Sequence, residues 1–91
     1  MRVLSSDIKK HAGKTIEARG WLHKKRLLGG LTFINVRDRQ GIIQVLVEER
    51  KEVEKLRGMQ IGTVIAVKGV VVKDERAPGG AEIHQAVISI I

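Results

Sequence analysis

Apolar and polar positions alternate with a period of two in the first two extended stretches of this chain. In residues 14–27, Ile16 and Ala18 alternate with Glu17 and Arg19, which predicts a long first strand. Gly20 breaks the pattern, as a bulge or a sharp bend in a barrel would. Leu28-Gly29-Gly30 then reads as a turn. In a second strand over residues 31–38, Ile34 and Val36 share one face while Phe33, Asn35 and Arg37 share the other. Arg39-Gln40-Gly41 closes a tight hairpin, and a third strand over residues 42–47 is apolar except for Gln44. The period then changes. Residues 48–57 are charged, with Val53 and Leu56 three apart, which predicts a short amphipathic helix. Residues 63–73 form a β-branched fourth strand broken by Gly69, residues 74–80 a loop, and residues 81–91 a fifth strand. Before the first strand, Ser5-Ser6-Asp7 offers capping groups to a short basic helix over residues 8–12, which Gly13 can end.

The resulting order is helix, three strands, helix, two strands, within one small domain spanning residues 1–91. All-β with short helices, and a helix between strands three and four of five, is the layout of the OB-fold, a Greek-key barrel. A five-stranded SH3-like barrel is the competing architecture, but it usually lacks the helix before strand four. OB-folds bind oligonucleotides on strands 2–3 and on the loops joining strands 1–2 and 4–5.

Composition narrows the picture. Apolar residues are 43% and charged residues 30%, values of a globular chain rather than a disordered one. Trp21 and Phe33 are the only aromatic residues, so the core must be built from Ile, Val and Leu. There is no cysteine, hence no disulfide framework or thiolate metal site, which suits a cytoplasmic setting. No apolar run approaches the ~20 residues of a membrane span, and no membrane partner is expected. The net charge of +7 is one-sided: residues 1–41 carry all of it, and residues 42–91 hold as many acids as bases. Such a field points to a polyanion, with ordinary solubility charge as the alternative.

The candidate chemistry lies in the same half. An aromatic ring on the polar face of a basic sheet can stack an unpaired base, and Phe33 holds that position unless the barrel curls enough to half-bury it. The Gln44 amide both donates and accepts, so it can read a base edge, or simply face solvent. Neighbouring strands place Gln44 near Phe33. Lys24, Lys25 and Arg26 can neutralise phosphates, with His23 beside them as a base contact or a plain surface residue. Arg37-Asp38-Arg39 could pair internally. Catalytic motifs such as GxxxxGK[ST], GxSxG and HExxH are missing, and His11, His23 and His84 are widely spaced without an acid cluster. No catalytic residue, cofactor site or metal ligand is expected in this chain.

GWLHKKRLLGGLTFINVRDRQGIIQVL resembles the N-terminal anticodon-binding OB domain of class IIb aminoacyl-tRNA synthetases, the aspartyl/asparaginyl branch. KDERAPGGAEIH is similar to the strand 4–5 loop of that branch, especially in archaeal-type asparaginyl enzymes. The resemblance implies that Phe33 stacks on the middle anticodon base, a uridine, and that Gln44 hydrogen-bonds it. It implies basic positions near the anticodon-stem phosphates at Lys24 and Arg26, and it places Glu82 at the acid just after the loop. Some aspartyl enzymes have a second acid two residues later that helps read the third anticodon base; here that residue is His84. His23 and Pro78 are similar to residues of enzymes that accept both Asp and Asn tRNAs, or of asparaginyl enzymes. The expected partner is therefore the anticodon loop of tRNA-Asp, tRNA-Asn or both. ATP and Mg are implied only for a class II catalytic domain, absent here and joined in cis if the chain is a fragment. A general single-strand-binding OB module and an engineered OB scaffold, which includes a protein-binding barrel, are the alternatives.

Overall fold

The computed structural model describes residues 2–28 and 31–91, so the turn expected at Leu28-Gly29-Gly30 lies largely outside the described residues. Five strands, β1 (Thr15–Leu28), β2 (Leu31–Arg37), β3 (Ile42–Val47), β4 (Val64–Lys73) and β5 (Ala81–Ile90), close into a barrel in the order β1-β2-β3-β5-β4. Every pairing is antiparallel except that of β3 with β5, which is parallel. One α-helix, α1 (Arg50–Arg57), lies between β3 and β4, and a 3-10 helix (Ser5–His11) precedes β1. This is the OB-fold, as the order of elements predicts.

β1 is long because it serves two partners. Thr15–Trp21 pairs with β4, and Trp21–Leu28 pairs with β2. The strand must therefore bend near Trp21. Gly20 permits the bend by close approach, since a Cβ there would collide with the Arg37 carbonyl oxygen. The bulge itself lies elsewhere. The β1–β2 register slips between Leu22 and Lys24, so His23 is the extra residue. A second slip, between Lys68 and Val70 of β4, occurs where Gln85 of β5 takes a left-handed φ of 54°. There a Cβ on Gly69 would lie 2.5 Å from the His84 carbonyl oxygen.

The core is aliphatic, as the scarcity of aromatic residues requires. Ile16, Leu22, Ile34, Ile43, Val45, Ile65, Ile83 and Ile88 are fully buried along the strands, and Ile8 and Leu56 bring the two helices into the same cluster. α1 is fixed further by Glu52, which is buried and accepts the Ile88 amide at 2.8 Å. Among the described residues no helix is long and apolar enough to cross a membrane.

The N-terminal helix differs from its expected form. It starts at Ser5, so the cap position falls on Leu4, which has no capping group, and Ser5 lies inside the helix with another partner. The Ser5 amide and hydroxyl both donate to the Asp38 carboxylate at 2.7 Å. Asp38 also accepts the amides of Gln40 and Gly41, at 2.8 and 3.0 Å, across the β2–β3 turn. Burial alone would push the Asp38 carboxyl up; the hydrogen bonds from Ser5, Gln40 and Gly41 outweigh it and hold the group below the usual carboxylate range. Asp38 thus does not pair with Arg37 or Arg39 but fastens the N-terminal helix to the hairpin turn.

Candidate nucleic-acid interface

The outer face of β1, β2 and β3 is laid out in rows by the ladder. Lys24 of β1 opposes Asn35 of β2, Asn35 opposes Gln44 of β3, and Gln44 opposes Glu82 of β5. One row along, Arg26 opposes Phe33, and Phe33 opposes Leu46. Phe33, Asn35 and Gln44 share an open depression of about 340 Å³ with Lys24, Lys25, Arg26 and Ile34. Phe33 is half-buried, neither a core residue nor a freely exposed one. The ring is thus half-buried by the curl of the barrel, the alternative that the sequence left open, and its remaining exposed part lines the depression.

The bulge at His23 decides which basic side chains join this face. Across it, β1 gains one residue relative to β2, so Lys24 and Arg26 align with Asn35 and Phe33 rather than with the buried Ile34. Both are exposed beside the depression. Lys25 then falls on the opposite phase, opposite Ile34. Its ammonium donates to the carbonyl oxygens of Leu56 at 2.8 Å and Met59 at 2.7 Å, where α1 ends. Lys25 therefore departs from the expected phosphate contact: its ammonium is engaged at the end of a helix.

The remaining residues singled out in the sequence are spread around this centre. His23 is exposed on the bulge. Arg37 shares the alternation of Phe33 and Asn35 but sits at the end of β2, opposite Ile42, outside the depression. Pro78 opens a short 3-10 turn before β5 and is exposed. Glu82 is not exposed to a ligand directly; it is buried, and its carboxylate accepts Gln44 Nε2 at 2.9 Å and meets His84 Nε2 at 2.6 Å. From the sequence, Glu82, Gln44 and His84 are separate candidates. Glu82 and His84 are two apart on β5, but the Gln44–Glu82 contact depends on the parallel β3–β5 pairing, which leaves no periodic trace in either strand.

A closed five-stranded barrel with an aromatic ring, two amides and flanking cations on one face defines a nucleic-acid-binding OB domain, and the family model described as an OB-fold nucleic acid binding domain matches residues 16–91. The chain is 42% identical over 96 residues to the aspartate–tRNA(Asp/Asn) ligase of Archaeoglobus fulgidus, covering 100% of this chain and 22% of that protein. It is 34% identical over 94 residues to the aspartate–tRNA(Asp/Asn) ligase of Thermus thermophilus, covering 100% of this chain and 20% of the relative. Among solved structures, asparaginyl-tRNA synthetase from Pyrococcus horikoshii complexed with asparaginyl-adenylate superposes with a TM-score of 0.86 at 31% identity, covering 100% of this chain and 22% of that one. The chain belongs to the N-terminal anticodon-binding OB domains of the aspartyl/asparaginyl class IIb aminoacyl-tRNA synthetases. It spans about a fifth of the length of the curated relatives it matches.

Proposed function

We propose that this domain grips the anticodon loop of tRNA-Asp, tRNA-Asn or both, and reads the middle base of the anticodon. The observation that supports this reading is the depression in which Phe33, Asn35 and Gln44 lie side by side, with Lys24 and Arg26 on its rim. A flipped-out base stacks on Phe33, and the Gln44 amide meets its Watson–Crick edge. Lys24 and Arg26 take the backbone phosphates and fix the strand's register without reading sequence. His23, on the bulge next to Lys24, and Pro78, in the strand 4–5 loop, would meet neighbouring nucleotides. Arg37 extends the positive rim. The third anticodon base is read more weakly than the second, because His84 occupies the position of an acid.

Aminoacylation, with its ATP and Mg, would belong to a catalytic domain joined in cis, and the whole would work in the cytoplasm. The domain's contribution is positioning: it holds the tRNA by the anticodon and rejects loops whose middle base does not fit.

The test is titration of a stem-loop carrying a GUC anticodon with wild-type protein and with Phe33→Ala, each fold being checked by circular dichroism. The variant is expected to stay folded and to lose roughly 1–3 kcal/mol of binding. About three phosphate contacts, to Lys24, Arg26 and Arg37, should give a slope of log K against log salt near −2. An unfolded Phe33→Ala protein would make Phe33 a core residue and end the stacking argument. Equal affinity for loops of unrelated sequence would turn the domain into a general single-strand binder.

A further inference from the structure

Part of the basic half of the chain has no task in the proposed reading. Lys24, Arg26 and Arg37 serve the depression and its rim, whereas Arg2, Arg19 and Arg39 gather around a separate open groove of about 600 Å³. The apolar lining of this groove includes Trp21, Leu4 and Val64. Trp21 is the only tryptophan of the chain, and it is 39% exposed. Leaving an indole in water forgoes the burial of one of the largest apolar side chains, so its exposure calls for a ligand.

The charge of the groove selects that ligand. Asp38 is the one acid among its lining residues, and its carboxylate is taken up by Ser5, Gln40 and Gly41. Arg19 pairs with Glu17, but among the described residues neither Arg2 nor Arg39 makes an ion pair. Two unpaired guanidinium groups beside an exposed indole suit an anion with a flat, stackable part. The groove also continues the proposed interface. Phe33, Asn35 and Arg37 follow one another on the outer face of β2, and Arg37 stands directly across the ladder from Trp21. Phe33 and Arg37 are about 13 Å apart along the strand. OB-folds hold about 4–16 nucleotides, and stacking on Phe33 accounts for one.

We infer that the Trp21 groove is a second nucleic-acid site, in which a nucleotide flanking the anticodon stacks on the indole while Arg2 and Arg39 take phosphates. This rests on the proposed binding of RNA at the Phe33 depression, from which the strand passes over Arg37. The contact reads no sequence, since every base has a π-face. It adds affinity and sets direction: the groove lies to one side of the depression, so only the flank on that side, 5′ or 3′, reaches it.

Because Trp21 is the only tryptophan, its emission reports on the groove alone. The experiment compares the RNA trinucleotide GUC with two RNAs that carry a tail of about five adenosines, one after GUC and one before it. Affinity is read from the anisotropy of labelled RNA, and occupancy of the groove from quenching of Trp21. One tailed RNA should bind roughly tenfold more tightly than GUC and quench the emission, while the other should match GUC in both respects. Trp21→Leu should lower the favoured RNA to the affinity of GUC, and Arg39→Gln should flatten its slope of log K against log salt by about 0.7. If Trp21→Leu fails to fold, the wild-type emission and Arg39→Gln decide. Equal affinity for all three RNAs with Trp21 unquenched overturns the inference, and a loss of binding in Phe33→Ala then leaves the depression reading intact. Quenching by both tails alike makes the groove an independent site rather than a continuation, and overturns the inference as well. Quenching by polyglutamate but by no RNA marks a surface for an acidic protein segment, with the same consequence. A Phe33→Ala protein that binds all three RNAs as the wild type does ends the depression reading and the inference together.

Discussion

Replacing Lys25 with methionine separates stability from binding on a surface where the two are easily confused. The substitution keeps an unbranched, largely apolar side chain and deletes the ammonium that closes the end of α1. Two short hydrogen bonds are lost, to the Leu56 and Met59 carbonyl oxygens, at 2.8 and 2.7 Å. A hydrogen bond to a charged group contributes about 1.5–3 kcal/mol where it is well shielded. Both carbonyls are partly buried, so water recovers part of each bond in the variant. A cation at a helix C-terminus adds about 0.3–1 kcal/mol. A net loss of about 2 kcal/mol is expected, which lowers the melting temperature of a domain this size by about 8–16 °C. Binding should respond differently. An ammonium committed to carbonyl oxygens neutralises no phosphate, so Lys25→Met should leave the slope of log K against log salt at the wild-type value. Lys24→Met should flatten it by about 0.7, one single-strand phosphate contact. Thermal denaturation followed by circular dichroism, and stem-loop titrations over a series of salt concentrations, give both quantities for both variants. A Lys25→Met protein that melts like the wild type, yet loses as much salt dependence as Lys24→Met, would refute the assignment.

Gly69→Ala drives a methyl group to 2.5 Å from the His84 carbonyl oxygen and from Ile83 Cγ2, so it should cost roughly 2 kcal/mol or more in urea denaturation; a change within experimental error would mean the β4–β5 contact is looser than described. Asp38 gives a pH signature. Its folded pKa lies below the unfolded value, so its stabilisation is complete above about pH 4 and is lost as pH falls through the folded value. Urea midpoints from about pH 6 down to about pH 2.5 should therefore fall less steeply for Asp38→Asn, which is already weakened at neutrality, than for the wild type; parallel curves would contradict the buried network with Ser5.

The parts of this molecule that the sequence reveals are those set by local periodicity. Phe33, Asn35 and Gln44 can be placed together from alternation alone, because β2 and β3 are joined by a tight turn that fixes their register. The bounds of β3 follow for the same reason. Lys25 is illegible by that route. One inserted residue at His23 reverses the phase of the rest of β1, and nothing in HKKR distinguishes a bulged strand from a regular one. Ser5 misleads in a related way: it has the side chain of a helix cap, but its partner is Asp38, 33 positions away. Glu82 is the clearest case of the limit. Its significance comes from adjacency to Gln44 across a parallel pairing of strands separated by a helix and a third strand, and no short-range rule reports such an adjacency.

The ring closure also sets when recognition can arise during synthesis. β5 pairs with both β3 and β4, while β1 waits for β4 to cover the flank that β2 leaves open. Contacts between such distant segments carry the loop-closure entropy that slows folding, and they cannot form until the last strand has left the ribosome. Half a barrel would have its Phe33 and Gln44 but neither the carboxylate behind them nor a sealed interior. The arrangement of Phe33, Gln44 and Glu82 is therefore complete only once β5 has paired with both β3 and β4.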